Sequence, residues 1–249
     1  MWQYNKMQNQ ISLVMICFLF LSTYALSGEF KPDAIAEGGR LYDQWWKELE
    51  LEKPTSTHSS YPATGIKKGA TTWRCKECHG WDYKGVKGAY REGSHKTGIK
   101  GIRDAEKMST RNIIATLKNK LHGYNNIIPD AALVQIANFV KYGQVDIEPY
   151  LNNKTLLANG NHKQGENFFN KSCKQCHGSD GRKINFKTYL NPEYLGTVAT
   201  ENPTETIHKL RNGNPNAFVN GKPMPNMNKT LNLQEQIDLL SYLQTLPVK

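Results

Sequence analysis

The chain has 249 residues, which is longer than one ordinary domain and predicts two modest hydrophobic cores. Hydrophobic residues make up 38% of the chain, a share typical of a soluble globular protein apart from one apolar run. The 32 lysines and arginines exceed the 22 acidic residues, yet no nucleic-acid-binding motif accompanies this excess, so the composition disfavours a nucleic acid as partner.

The apolar run lies near the N-terminus, from Ile11 to Leu26. It follows a mostly polar stretch and ends in small residues, a pattern typical of a signal peptide cut near Ser27. Since the run falls just short of the ~20 residues that span a bilayer, an uncleaved anchor is the alternative. Only that alternative would allow membrane association. We therefore predict a signal peptide at residues 1–27 and a periplasmic or otherwise exported protein.

A short amphipathic stretch led by glycine opens the remaining chain, with Gly39, Leu41 and Tyr42. Residues 52–72 follow it and are rich in Pro, Ser, Thr, Gly and Lys. This composition is typical of a surface loop, so we interpret the segment as an insertion.

One short motif occurs twice, as Arg-Cys-Lys-Glu-Cys-His-Gly at 74–80 and Ser-Cys-Lys-Gln-Cys-His-Gly at 172–178. In each copy the two thiols can add to both vinyl groups of one porphyrin, which places the next histidine beneath the iron. The fifth cysteine, Cys17, leaves with the signal peptide. We therefore predict two covalently bound haem c groups. The predicted attachment residues are Cys75, Cys78, Cys173 and Cys176, and the predicted iron ligands are His79 and His177.

Two other kinds of site use paired cysteines. Two Cys-x-x-Cys pairs can supply the four thiolates of a zinc site, and one pair can form a thioredoxin-like redox centre. Neither alternative accounts for a histidine after both pairs, for helical flanks, or for an export signal.

Basic residues surround the first motif. Residues 67–103 contain ten lysines and arginines against three acidic residues. A basic rim beside a haem edge steers an acidic redox partner and speeds its encounter. The segment is equally well interpreted as the solvated face of a basic protein.

Apolar periodicity predicts further helices in both halves, and no stretch alternates long enough to predict a sheet. The predicted helices are 109–117, with Ser109 as its cap, and 131–140 in the first half, and 204–210 and 233–243 in the second. Residues 143–155 show little periodicity. We therefore predict an all-α fold made of two helical domains, 33–147 and 155–249.

Each half resembles a class I cytochrome c domain: a helix with glycine and an aromatic residue, then Cys-x-x-Cys-His, then a closing helix with an aromatic residue. The whole chain is similar to secreted dihaem cytochromes c. The resemblance implies that the closing aromatics, Phe139 and Tyr242, cross the opening helices near Gly39 and Gly165.

The sixth iron ligand of such a domain comes from a loop before the closing helix. In the second half, Gly-Lys-Pro-Met224-Pro resembles the methionine loop of the family, so we predict Met224 as ligand, with Met227 as the alternative. Alignment of the two closing helices places His122 at the corresponding position of the first half. His122 is therefore the predicted ligand there. The alternatives are Met108, His95, or a surface role for His122.

The expected function is electron transfer between redox partners, with no catalytic residues. Methionine ligation raises the potential of a haem and histidine ligation lowers it, so electrons would run from the first half to the second. The alternatives are a haem enzyme with one open or displaceable axial site, and a haem subunit of a larger respiratory complex.

Overall fold

The computed structural model describes residues 32–219 and 221–248. The predicted signal peptide, residues 1–27, lies outside the described residues. Within those ranges, no helix has both the length and the apolar character needed to cross a bilayer.

The first half is helical. Its α-helices are α1 (Pro32–Glu48), α2 (Cys75–His79), α3 (Thr110–Lys118) and α4 (Asp130–Asn138), and α4 continues into a π-helical turn at Phe139–Gly143. Short 3₁₀ turns lie at Gly69–Trp73, Ala89–Arg91, Gly93–His95 and Arg103–Lys107. As predicted, Ser109 caps α3, because its Oγ accepts a hydrogen bond from the Asn112 backbone N–H at 3.2 Å.

A 3₁₀ turn at Glu148–Tyr150 precedes the helices of the second half. Its elements are α5 (His162–Phe168) with a π-helical turn at Phe169–Cys173, then α6 (Lys174–His177), α7 (Leu195–Glu201), α8 (Pro203–Asn212), β1 (Asn214–Val219), β2 (Lys222–Met224) and α9 (Leu233–Leu243). A capping box formed by Asn232 and Glu235 fixes the start of α9.

The β1–β2 hairpin is a departure from the predicted all-α fold. The two strands pair antiparallel, and Val219 faces Lys222 across the turn. The sequence signal for it is the Asn-Gly dipeptide at 220–221, a common two-residue hairpin connection. The pair is short and irregular, so periodicity alone does not predict it. The fold is otherwise helical.

Each half has its own hydrophobic core. The first cluster of buried residues runs from Leu41 to Val140, and the second runs from Ile147 to Leu246. Ile147 is 2% exposed and packs in the second core, although the sequence assigns it to the end of the first domain. The change of core therefore occurs a few residues earlier than the predicted start at 155.

The opening and closing helices of the two halves cross in the same way. A Cβ atom on Gly38 would overlap the carbonyl oxygen of Gln135, and one on Gly165 would overlap the carbonyl oxygen of Asp238. Only glycine permits such close backbone approach. The sequence correctly places Gly165 at the crossing, but in the first half the residue is Gly38 and not Gly39.

Aromatic pairs next to these crossings also correspond. Tyr42 lies four residues after Gly38, and its ring packs 5.3 Å from that of Phe139. Phe169 lies four residues after Gly165, and its ring packs 5.3 Å from that of Tyr242. The repeat in the sequence is therefore accompanied by a repeat in the packing.

The insertion at 52–72 is less exposed than its composition suggests. His58 is 8% exposed and Tyr61 is 7% exposed. The His58 ring packs 4.4 Å from the ring of Trp73, two residues before the first cysteine of the motif. The prediction of a surface loop is thus wrong for these two side chains, and His58 is buried against the rings of Trp73 and Tyr124.

Helix α8 of the second half packs against α1 of the first. Gly39 faces Asn212, whose side chain occupies the space that a Cβ would need. His208 is 1% exposed and lies between the Gly39 carbonyl and the Tyr83 hydroxyl, at 2.9 Å from each. The two halves therefore share a buried polar contact as well as apolar packing.

Candidate haem-binding sites

The two Cys-x-x-Cys-His motifs have the same backbone conformation. Each histidine ends a single helical turn, and the following glycine adopts a positive φ, 81° at Gly80 and 83° at Gly178. In both copies the glycine N–H donates to a carbonyl four residues earlier at 2.9 Å. These backbone angles require glycine, which is why both motifs continue with it.

The first motif borders a cavity that is partly open to solvent. Cys75, Cys78 and His79 lie on its wall, together with His122 from the loop after α3. Apolar side chains make up most of the remaining lining, among them Ile102, Met108, Ile113, Leu117, Ile136 and Val140. An apolar cavity with few polar groups is the usual setting of a cofactor site.

His79 is held in one orientation. Its Nδ1 donates to the Lys100 carbonyl at 2.8 Å, which leaves Nε2 as the unprotonated nitrogen. Burial lowers the pKa of His79 to about 4 despite this hydrogen bond. The ring is therefore neutral at pH 7 and has a lone pair for a metal ion.

His122 lies close to His79. The two ring centroids are 6.2 Å apart, and the ring planes are inclined by 22°. Burial lowers the pKa of His122, so its ring is also neutral at pH 7. Metal–nitrogen bonds of about 2 Å on opposite sides of one ion would hold two imidazole centres roughly 6 Å apart. The spacing and the cavity therefore fit an iron porphyrin bound between the two rings.

The two alternatives to His122 differ in their surroundings. Met108 is half-buried and lines the same cavity, so it remains a competing ligand. His95 is instead bound to Glu77, with its Nδ1 2.6 Å from a carboxylate oxygen. Burial favours the neutral acid of Glu77, but His95 and Lys76 outweigh it and lower the pKa to about 2. His95 thus interacts with a buried carboxylate.

The two cysteine pairs lie beside different cores, so in the described part of the chain they do not come together as a four-thiolate zinc site. Burial raises the pKa of Cys75, Cys78 and Cys173 to about 12, so these thiols are protonated at pH 7. Reactive cysteines are thiolates, so these raised pKa values disfavour a thioredoxin-like redox centre. In the part of the chain that the structure describes, no three His, Cys, Asp or Glu side chains are arranged to hold a metal ion.

The second motif is associated with the second core. Burial lowers the pKa of His177, and its Nδ1 is a buried atom with no hydrogen-bond partner within the described residues. Cys173, Met224 and Met227 all pack partly buried against the same cluster. Met227 has other partners: its backbone N–H donates to the Leu210 carbonyl of α8 at 2.7 Å, and its sulfur lies 3.9 Å from Thr230 Oγ1.

Sequence reasoning missed two histidines that the structure places in important positions. His58 lines the cavity and hydrogen-bonds to the backbone of His122, and His208 lies between the halves. Neither belongs to a motif, and both contact residues far away along the chain. No local pattern could have identified them.

Comparison with known proteins gives matches to one family. Residues 162–247 match the model of the family Cytochrome c. A Synechocystis protein described as cytochrome c-553-like is 29% identical over 102 residues, which cover 41% of this chain and 84% of that relative. No solved structure matches the chain. These matches support a c-type cytochrome with covalently bound haem c, and electron transfer as its role.

Proposed function

We propose that this protein is an exported dihaem cytochrome c that transfers electrons between redox partners. The observation that carries the proposal is the pair of neutral rings, His79 and His122, 6.2 Å apart on the wall of an apolar cavity that also contains Cys75 and Cys78. The matching motif, glycine crossing and aromatic pair support an equivalent site in the second half.

In the first half, Cys75 and Cys78 would attach the haem, and His79 and His122 would bind its iron. A bound haem supplies a one-electron iron couple. The Lys100 carbonyl fixes the His79 ring by accepting its Nδ1–H, a contact that also makes Nε2 more basic. The walls around the two rings are largely apolar, so the protein would here tune the potential of the iron.

In the second half, Cys173 and Cys176 would attach the haem, and His177 and Met224 would bind its iron. Met224 is half-buried on β2, beside the second core. Since the thioether of methionine raises the potential and a second histidine lowers it, the second half would have the higher potential. Electrons would then move from the first half to the second.

The partner would dock on the basic rim of the first half. Of the ten basic residues at 67–103, several are engaged in buried contacts; Arg74, for example, pairs with Asp43. The exposed ones are Lys68, Lys87, Arg91, Lys96 and Lys100. Lys100 also lines the cavity. An acidic redox protein fits this surface, and its association rate would fall as salt concentration rises.

The haem number tests the proposal directly. Purified protein should contain two covalent haems by mass, and a Cys75→Ser/Cys78→Ser or a Cys173→Ser/Cys176→Ser double variant should retain one. Near-infrared magnetic circular dichroism of the oxidised protein should show one bis-histidine signal and one histidine–methionine signal. A single haem would refute the dihaem assignment, and a high-spin signal would favour an enzyme with an open iron site.

A further inference from the structure

We infer that the insertion at 52–72 positions His122 as an iron ligand, with His58 as the positioning residue. The inference deepens the proposed function and rests on the assignment of His122 made there. It gives a role to the segment that distinguishes the first half from the second.

His58 bonds directly to the backbone of the residue that it would position. The Ser60 N–H donates to His58 Nδ1 at 3.1 Å, so the ring proton lies on Nε2. Nε2 then donates to the His122 carbonyl oxygen at 2.9 Å. Ser60 Oγ donates to the adjacent carbonyl, that of Leu121, at 2.5 Å. The His58 and Ser60 side chains of the insertion thus bind the carbonyls of the consecutive residues His122 and Leu121.

The loop is held from its other side by Asn119. The Oδ1 atom of Asn119 accepts the backbone N–H groups of Leu121 and His122, at 2.9 and 3.0 Å. All four backbone polar groups of Leu121 and His122 are therefore bonded to side chains, although neither residue belongs to a helix or strand. Asn119 closes this loop locally, and the insertion connects it to a distant part of the first half.

The insertion is itself anchored beside the first motif. The His58 N–H donates to Thr72 Oγ1 at 2.8 Å, and Trp73 Nε1 donates to the Ser56 carbonyl at 2.9 Å. The His58 ring packs 4.4 Å from Trp73 and 6.0 Å from Tyr124, centroid to centroid. The insertion therefore joins the chain just before Cys75 to the chain around His122.

This arrangement has a consequence for ligation. A histidine on a free loop loses conformational freedom when it binds iron, and the binding equilibrium is weakened accordingly. Because His58 and Ser60 fix the His122 backbone beforehand, less freedom is lost, and an external ligand competes less well. Positioning of His122 should therefore make it harder for an external ligand to displace His122 from the iron.

The experiment uses the purified full-length holoprotein and cyanide, which displaces an axial ligand from oxidised iron. His58→Ala removes the hydrogen bond, His58→Gln restores an N–H donor, and Ser60→Ala removes the neighbouring bond. His162→Ala, at an exposed histidine at the start of α5, is the matched control. Binding is followed at each haem through its own near-infrared signal, so the second haem is an internal reference.

We expect His58→Ala to raise the apparent cyanide affinity of the first haem about tenfold, the effect of losing one hydrogen bond. Ser60→Ala should have a smaller effect of the same sign, and His58→Gln should recover much of the wild-type affinity. The second haem should be unchanged. If His58→Ala does not fold, Ser60→Ala and His58→Gln provide the same comparison.

Two results would overturn the inference, and they are distinguishable. If the wild type shows the bis-histidine signal but the affinity is the same in all variants, the insertion does not position His122. If the wild type lacks the bis-histidine signal, the ligand assignment under the proposed function is what fails, and the inference fails with it.

Discussion

The imidazole of His208, in the second half, lies 2.9 Å from the hydroxyl oxygen of Tyr83, in the first half. Its other nitrogen, Nε2, lies 2.9 Å from the Gly39 carbonyl, which can only accept a hydrogen bond. Nε2 therefore carries the proton, and Nδ1 accepts the Tyr83 O–H. This contact requires a neutral ring.

His208 makes the stability of the protein depend on pH. Burial lowers the pKa of His208 to about 3, against 6.5 in an unfolded chain. Between these values the unfolded state binds the proton and the folded state does not, so stability is lost as the pH falls below 6.5. At pH 5 the loss from this residue is about 2 kcal/mol.

We therefore predict that His208→Gln flattens this dependence. Glutamine keeps a donor and an acceptor but does not titrate. Denaturant unfolding of the holoprotein is measured at pH 7 and at pH 5. From pH 7 to pH 5 the free energy of unfolding of the variant should fall by about 2 kcal/mol less than that of the wild type. The exposed His162→Gln variant should behave as the wild type does. An equal decrease in both variants would contradict the prediction.

A buried carboxylate also joins the halves. Asp43 is 1% exposed and pairs with Arg74 of the first half and Lys209 of the second. Burial alone would raise the pKa of Asp43, but Lys209 and Arg74 outweigh it and lower the pKa well below 3.8. The stabilisation is thus present above pH 3.8 and is lost as the pH falls further.

Asp43→Asn should destabilise the protein by about 3 kcal/mol at pH 7, because it leaves two largely buried cations without their counter-charge. The measurement is denaturant unfolding. Limited proteolysis is a second measurement, and it should cut Asp43→Asn faster than the wild type between the two halves. The control is Asp104→Asn, which breaks an exposed pair with Lys107 and should change little. A loss as small as that of the control would show that the pair is not stabilising.

The local features of the fold follow from the sequence, whereas its long-range contacts do not. Periodicity identifies α3, α4, α8 and α9, because helical packing repeats every three to four residues. The contact between His58 and His122 joins residues 64 positions apart, and that between His208 and Gly39 joins residues 169 positions apart. Such pairs depend on how the elements pack, and a single sequence carries no pattern for them.

The candidate sites divide in the same way. The candidate attachment cysteines and iron-binding histidines can be proposed from the sequence, because haem attachment requires a fixed spacing within five residues. His122 was identified by alignment of the two closing helices, and the structure places its ring beside that of His79. The anchoring of its loop by the insertion was not predictable, because the composition of residues 52–72 is that of an ordinary surface loop.

The ligand proposed for the first haem, His122, can be tested by substitution. His122→Ala should remove the bis-histidine signal, produce a high-spin iron, and leave the second haem unchanged. Met108→Ala is the matched control, because Met108 lines the same cavity and its loss also creates space. If Met108→Ala loses the low-spin signal and His122→Ala keeps it, the ligand is Met108.

The two methionines of the second half can be distinguished in the same way. Met224→Ala should abolish the histidine–methionine signal and lower the midpoint potential of the second haem, by a fraction of the roughly 0.8 V range that axial ligands set. Met227→Ala should preserve both, because the Met227 sulfur already has a partner in Thr230 and its backbone is bonded to Leu210 of α8. A potentiometric titration of each variant measures both midpoints. If Met224→Ala leaves both midpoint potentials at their wild-type values and Met227→Ala shifts one of them, the ligand is Met227. If the two midpoint potentials of the wild type are equal, the proposed direction of electron flow loses its basis.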